Sequence, residues 1–399
     1  MVQKRTVAVV NCGSSSVKLD VFFLPSEDNP LSVLVERVGT AEARLVLKRA
    51  SAGGEPEQRE ERAAAAPDPS SAVALALDEV ANAGFAPDAV GHRVVHGGER
   101  FAEAAIIDDE VLAAIEACVP LAPLHNPANL AGLAVARARL PNVCHVAVFD
   151  TAFHQTLAPE AYLYALPRAL HEQHGVRRYG FHGTSHGYVA ERAARFFGRD
   201  PSTLNLVTLH LGNGCSACAI SRGRSVDTSM GMTPLEGLIM GTRSGDVDPA
   251  VVLRLARMHG IDEAERLLLK QSGLLGVSRS SHDMRDLERA AAEGNADADL
   301  AVRMFARRAA KVVGGYAVVL GDVDAVIFTG GIGENSQRVR REICGGLRVL
   351  GALLDERKNG GDLQGERDLA SSDSRVRILV IPTDEERAIA QETARLARV

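Results

Sequence analysis

The 399-residue chain has no tryptophan, and aromatic side chains make up only 4% of it. Its six cysteines (Cys12, Cys118, Cys144, Cys215, Cys218, Cys344) are too sparse and irregular for a disulfide framework, which points to a reducing compartment and a cytoplasmic protein. No stretch approaches the roughly 18 uncharged apolar residues of a membrane-spanning helix, and the apolar run Thr6 to Val10 is too short for a signal-peptide core. An excess of positive charge is missing too. With 45 Lys plus Arg against 51 Asp plus Glu, the net charge is −6 with both signs dispersed, which argues against nucleic acid or an anionic membrane as principal partner. Any anion site must be local.

What is present, 46% apolar side chains in a long chain, describes an ordinary globular protein of two or three domains that needs no disulfide or structural metal to hold it. Thr6-Val-Ala-Val-Val10 predicts a buried strand, Asn11 to Ser16 a turn, and Val17 to Phe23 a returning half-buried strand. The same pattern recurs about 200 residues later, in Leu204 to Leu211, Gly212-Asn-Gly-Cys-Ser216 and Ala217 to Ile220. A looser echo pairs Asp88-Ala-Val90 with Asp324-Ala-Val326, each running into a glycine-rich stretch. Two similar halves with a cleft between their glycine-rich tips are expected. Helical spacing of apolar residues marks Asp109 to Ala117, Asn129 to Leu140 and Ala298 to Leu320, whereas residues 50–72, rich in Ala, Glu, Pro and Ser, predict an exposed excursion. Alternating strands and helices argue α/β architecture.

The tip Asn11-Cys-Gly-Ser-Ser-Ser-Val-Lys18 gathers hydroxyls, backbone N–H groups and one ammonium at the end of a buried strand. Alone it could be a solvated hairpin turn; repeated at 212–216, it looks like a phosphate site. It is not a Walker A loop, because a strand follows it. Gly212-Asn-Gly-Cys-Ser-Ala217 matches G-x-G-x-x-A, but a dinucleotide fingerprint must open a helix, and here a strand continues. Thr329-Gly-Gly-Ile-Gly-Glu-Asn335 would let adenosine or phosphate approach the backbone, or be a tight strand-to-helix turn. Cys215 and Cys218 read as buried small residues, not as a redox or zinc pair. Loops at 91–98, 124–127, 180–186 and 241–246 each set His or Arg beside glycine or proline, which together suggest the lining of an anion site. Asp150 and Glu385 end or follow apolar strands, where carboxylates commonly hold Mg²⁺ near phosphate; a helix's first-turn acid is the bland alternative for Glu385 and Glu386.

These residues resemble the acetate kinases, the acetokinase group of the sugar kinase, Hsp70 and actin superfamily. The resemblance runs through nine segments in order: Asn11 to Lys18, Gly91 to Gly98, Phe149 to His154, Arg178 to His186, His210 to Gly214, Met230 to Gly237, Gly241 to Asp246, Phe328 to Asn335 and Pro382 to Glu386. It implies two ribonuclease-H-like α/β domains with an interdomain active-site cleft, divided as 1–150 plus 385–399 and 151–384. It also implies a homodimer, and reversible Mg²⁺-dependent (or Mn²⁺-dependent) transfer of the ATP γ-phosphoryl group to a short carboxylate. By the same resemblance Asn11 and Glu385 assist the metal. Ser14, Ser16 and Lys18 sit near the phosphates. His210, Leu211, Gly212, Asn213 and Gly214, with Asp283, Met284 and Arg285, and Gly331, Ile332, Gly333, Glu334 and Asn335, hold ATP or ADP. Arg93 and His125 bind the acceptor, whose methyl group enters a pocket of Val95, Leu124, Phe181 and Pro234. His182 and Arg243 stabilise the transferring group, and Asp150 is the essential acid.

Departures from the family pattern are Cys12 where a small residue such as Ala is usual, Asp384 in place of Asn, and Arg279 and His282 ahead of Asp283. Acetate is ionised at neutral pH, so no base is needed, and Asp150 is better read as positioning an arginine or a metal-bound water than as taking a proton. Within the class the competitor is a propionate or butyrate kinase. Outside it, an actin-like nucleotide switch would share the phosphate hairpins but needs no acceptor pocket.

Overall fold

The computed structural model describes residues 4–26, 28–50, 58–361 and 364–399. Two compact units emerge, Met1–Gln155 with Asp384–Val399, and Thr156–Thr383. The first holds strands β1 (Arg5–Cys12), β2 (Ser16–Leu24), β3 (Asp28–Glu36), β4 (Arg44–Arg49), β5 (Gln58–Ala63), β6 (Ala89–Val94), β7 (Ala105–Ile106) and β8 (Cys144–Phe149). They form one sheet in the order β5-β4-β3-β2-β1-β6-β8-β7. Here β1 runs antiparallel to β2 and parallel to β6, and β6 is parallel to β8.

The uninterrupted apolar run of β1 is explained by burial on both faces. Ala8, Val10 and Cys12 pack with Val73 and Ala76 of helix Pro69–Asn82 and Ala136 of helix Asn126–Arg139. Their neighbours Val7 and Val9 pack with Ile389 and Ala390 of the C-terminal helix Glu385–Ala397.

The second unit repeats the plan with β9 (Asn205–Leu211), β10 (Cys215–Ser221), β11 (Arg224–Thr228), β12 (Ala325–Thr329), β13 (Arg367–Asp368) and β14 (Arg377–Val380). Its order is β11-β10-β9-β12-β14-β13, with β9 antiparallel to β10 and parallel to β12, and β12 parallel to β14. The series β3-β2-β1-β6-β8 and β11-β10-β9-β12-β14 are therefore one topology used twice. The echo extends to single atoms. Asp88 Oδ2 accepts from Thr6 N, and Asp324 Oδ2 from Asn205 N, each at 2.8 Å, so the two aspartates tie the first strand of each unit to its parallel neighbour.

Part of the expected excursion at 50–72 is a strand. β5 has six exposed residues and pairs antiparallel with β4, while 51–57 lie outside the described residues. Composition hid it because its sequence, Gln-Arg-Glu-Glu-Arg-Ala, has no apolar alternation. It is an edge strand held by backbone pairing and by charge contacts such as Arg44 to Glu61 at 2.8 Å, and its charges keep the edge from pairing further. The expected 329–335 turn begins as a short helix, Gly330–Asn335, and helix Gln337–Gly346 follows. Among the described residues no helix is long and apolar enough to cross a membrane.

Candidate active site

Parallel neighbours end side by side, so the C-terminal ends of β1, β6 and β8 bring Asn11, Arg93 and Asp150 together. Arg93 Nε and Nη2 donate to Asp150 Oδ1 and Oδ2 at 3.0 and 2.6 Å, a two-pronged pairing of fork and carboxylate. Its Nη1 makes a longer, 3.3 Å bond to Asn11 Oδ1, and Glu385 Oε2 lies 3.7 Å from its Nε. Lys18 on β2 sits between Asp20 at 3.0 Å and Glu386 at 3.2 Å. Burial works against the Lys18 charge, yet the two carboxylates outweigh it and hold the ammonium above its ordinary value. Burial pushes Glu385 up to about 7; Arg93 opposes the shift, and Asp150 and Glu386 add to it. Four acids thus face two cations, a surplus of negative charge suited to a bound cation.

Glu385 and Glu386 are first-turn residues of their helix, so the bland structural role holds as well, and Asp384 caps it by accepting from Arg387 N at 3.0 Å. Val95 lies one residue beyond the strand that carries Arg93, so the two share no strand face. β6 ends at Val94 because the Val95 N–H leaves the ladder and donates to Asn129 Oδ1 at 3.0 Å. Asn129 Nδ2 also donates to Cys12 O at 2.7 Å, and Asn126 braces His96 through both its O and N. These two buried helix asparagines clamp the site loops; their only sequence signal was two amides three residues apart in an otherwise apolar helix start. Val95 is buried, whereas Leu124 is 53% exposed. His125 precedes the helix at Asn126.

In the second unit the β9–β10 tip is closed by a Gly212 N to Gly214 O bond of 3.1 Å. Gly330 has φ +75°, and a Cβ on it would lie 2.7 Å from Leu211 O, so only glycine lets β12 pass the end of β9 there. Glu334 Oε1 then accepts from Gly330 N at 2.9 Å and Thr383 N at 3.3 Å. His182, at φ 57°, precedes helix Gly183–Phe197, and its ring stacks on His210 with centroids 4.2 Å apart. Arg243 Nη1 donates to Pro234 O at 2.8 Å. Among the described residues no carboxylate pairs with Arg243, and burial lowers its pKa. Phe181 is buried next to His182.

A cavity of about 630 Å³ is lined by eight of the expected nucleotide residues, Gly212, Asn213, Asp283, Met284, Arg285, Gly331, Ile332 and Asn335, together with His282, Glu288 and Ser336. That volume suits a nucleotide-sized ligand. His282, one of the departures, is therefore on the cavity wall. Glu288 and Ser336 carried no sequence signal: Glu288 lines the cavity from helix Met284–Ala292, and Ser336 from the cap between two helices. Arg285 holds the Asp283 carboxyl down at about 2, and Asp283 also caps helix Met284–Ala292. His210, Leu211, Gly214, Gly333 and Glu334 stand outside the lining; Gly333 and Glu334 pack or bond against backbone behind it. Ser14, Ser16 and Lys18 belong to the first unit, with Ser14 and Ser16 exposed. Cys215 and Cys218 lie fully buried on β10, and burial pushes the Cys215 thiol up to about 12.

Among the described residues no three His, Cys, Asp or Glu side chains converge to hold a metal by themselves. Asn11 and Glu385 offer hard oxygen donors and an acidic surround, which fits Mg²⁺, an ion that takes one or two protein ligands and completes its shell with water and phosphate.

The profile of the Acetokinase family matches residues 6–391. The acetate kinase of Syntrophobacter fumaroxidans is 52% identical over 400 residues, covering 98% of this chain and 97% of that protein. Among solved structures, an acetate kinase from Porphyromonas gingivalis superposes with a TM-score of 0.90 at 43% identity, covering 98% of this chain and 99% of that one. A propionate kinase from Francisella tularensis gives 0.92 at 39% identity with the same coverage.

Proposed function

The chain belongs to the acetokinase family, and on that footing we propose that it catalyses reversible transfer of the ATP γ-phosphoryl group to acetate, giving acetyl phosphate and ADP. The observation that carries the proposal is Arg243: a half-buried guanidinium with no acid beside it among the described residues, at a phosphate-type tip. Such a charge is costly unless an anion arrives, and its neighbour Cys215, a neutral thiol at pH 7, is no counterion.

The acceptor is already a carboxylate, so the obstacle is repulsion between two anions rather than deprotonation. Asp150 grips Arg93 along one edge and orients it. The Nη1 edge, in only a 3.3 Å contact with Asn11, is assigned to the acetate carboxylate. Arg243 and His182 neutralise and hydrogen-bond the transferring phosphoryl oxygens. Adenosine is assigned to the 630 Å³ cavity, with Ile332 as apolar wall and Gly331 leaving room for a base. Bound Mg²⁺, held by Asn11 and Glu385, supplies further neutralisation of phosphate charge.

The test is ADP release from Mg-ATP with and without acetate, with acetyl phosphate trapped as the hydroxamate. Release should require acetate, and equal hydrolysis without it would favour a nucleotide switch. Propionate is the second reading, favoured by the likeness to the Francisella enzyme. A panel of acetate, propionate and butyrate separates the two.

The same reading carries a homodimer in the cytoplasm. Val318 and Val319, 83% and 54% exposed on helix Ala296–Leu320, provide apolar surface for self-association. The six free cysteines suit a reducing compartment.

A further inference from the structure

The hydroxyl of Ser216 lies behind the phosphate-type tip. Its Oγ is 2.8 Å from His182 Nδ1 and 2.8 Å from His186 Nε2, while His186 Nδ1 is 2.7 Å from Thr208 Oγ1. Ser216, His186 and Thr208 are fully buried, so bulk water does not compete for these bonds. On its other side the His182 ring stacks on His210, whose Nδ1 is bonded to Ser185 Oγ at 2.8 Å.

A serine hydroxyl has one proton. Set between two imidazole nitrogens, it donates to one and accepts from the other. If it donates to His182 Nδ1, the neutral His182 ring carries its own proton on Nε2. His186 then donates Nε2–H to Ser216 and accepts at Nδ1 from the Thr208 hydroxyl, so the bonds run in a single direction. Reversed, the chain leaves a lone pair on His182 Nε2. That nitrogen and Arg243 Nη1 lie 3.4 and 3.7 Å from the point a Cβ on Gly214 would occupy, so both border one small space. A lone pair there would repel a phosphoryl oxygen, whereas an N–H beside the guanidinium makes a two-donor anion site.

We infer that Ser216 is a positioning residue: backed by His186 and Thr208, it holds His182 in the tautomer protonated on Nε2, aimed with Arg243 at the transferring group. The preference for this tautomer over its reverse comes from an anion beside Arg243 and so, like the effect on rate, rests on the phosphoryl-transfer proposal above; the NMR readout of the tautomer does not depend on turnover.

The experiment is ¹⁵N NMR of the imidazoles in the full-length chain at about pH 8, above the ordinary histidine range. The His182 signals are assigned by their loss in His182→Asn. Nδ1 should read as an acceptor and Nε2 as an N–H. The opposite pattern, or a doubly protonated ring, overturns the inference whether or not the protein phosphorylates acetate. In Ser216→Ala the two signals should move towards a tautomer mixture. Turnover should fall on the order of ten- to a hundredfold, the usual cost of losing a side chain that orients a functional histidine. The KM for ATP should change by less than about twofold. Ser216→Thr, which keeps the hydroxyl on a strand, should restore both readouts. Thr208→Val keeps the shape without the donor and should shift the tautomer ratio from the far end. Unchanged tautomer and turnover in Ser216→Ala and Thr208→Val together refute the inference. Absence of transferase activity in the unmutated chain refutes only the proposed reaction.

Discussion

Arg93 and Arg243 show how differently one residue type can be prepared for an anion. Arg93 is neutralised and aimed by Asp150, while Arg243 has carbonyl and thioether partners and, among the described residues, no acid. If Arg243 meets charge that develops during transfer, Arg243→Ala should lower turnover by on the order of a hundredfold or more, with a smaller change in the KM for ATP. Steady-state kinetics decide this, since lost ATP affinity with intact turnover would make it a ground-state ligand. At Val95, buried beside the Asn129 clamp, acyl size is at stake. One methylene in a small apolar pocket is worth about 1 to 3 kcal/mol, so acetate should exceed propionate roughly 10- to 200-fold in kcat/KM, and Val95→Ala should narrow the gap. A higher kcat/KM for propionate in the unmutated enzyme would replace the acetate assignment. The departures from the family pattern have local reasons. Cys12 packs so closely on Gly132 that a Cβ there would lie 2.7 Å from Cys12 Cβ, and Asp384 serves as helix cap while pairing with Arg387 Nε at 2.7 Å.

At the scale of elements, the strand-tip-strand pattern was legible twice because β1 and β9 are buried on both faces and their partners must reverse over small residues. The Asp88 and Asp324 echo was legible for a physical reason as well, since each carboxylate takes an N–H at the start of a parallel neighbour. β5 was not legible, because a fully exposed edge strand carries no apolar period. Nor was the end of β6 at Val94, decided by Asn129 from a helix 34 residues on. The β12 junction carries the sharpest consequence. Gly330→Ala forces a left-handed conformation, costing about 1 to 2 kcal/mol, and drives a methyl group against the Leu211 backbone. Chemical denaturation should show a loss of at least about 2 kcal/mol, accompanied by weaker ATP binding as the β9 tip shifts. A Gly330→Ala protein of unchanged stability would mean that the junction can open freely.

For the whole molecule the buried histidines set a pH limit. His145 Nε2 bonds Leu140 O at 3.1 Å and must donate, so its Nδ1 accepts from His92 Nε2 at 2.9 Å, and both rings are neutral in the fold. Burial lowers His92 to about 3, with help from His145, and burial also lowers His145. The unfolded chain binds these protons near pH 6.5. Stability from this pair is therefore complete above about 6.5 and declines as pH falls towards 3, by on the order of 2 kcal/mol at pH 5 for His92 alone. Glu385, raised to about 7, works in the opposite direction. The measurement is thus a comparison: urea midpoints at pH 8 and 5 should diverge more in the parent than in His92→Asn, whose amide can still donate to His145. Equal pH dependence in the two proteins would remove His92 as the cause.

By itself the sequence determined the α/β class, the doubled hairpin and the glycine-rich segments that line the cavity. Those properties are written in short-range periodicity and in residues whose backbone freedom no other type shares. Tertiary structure alone decided which acid grips Arg93, that Arg243 has none among the described residues, and that Ser216 stands between His182 and His186, one just before and one within a helix it meets only in space. Hydrogen bonds between residues 30 to 60 positions apart leave no period in a chain, because their geometry is set by which strands become parallel neighbours and by what burial then forbids to remain unpaired.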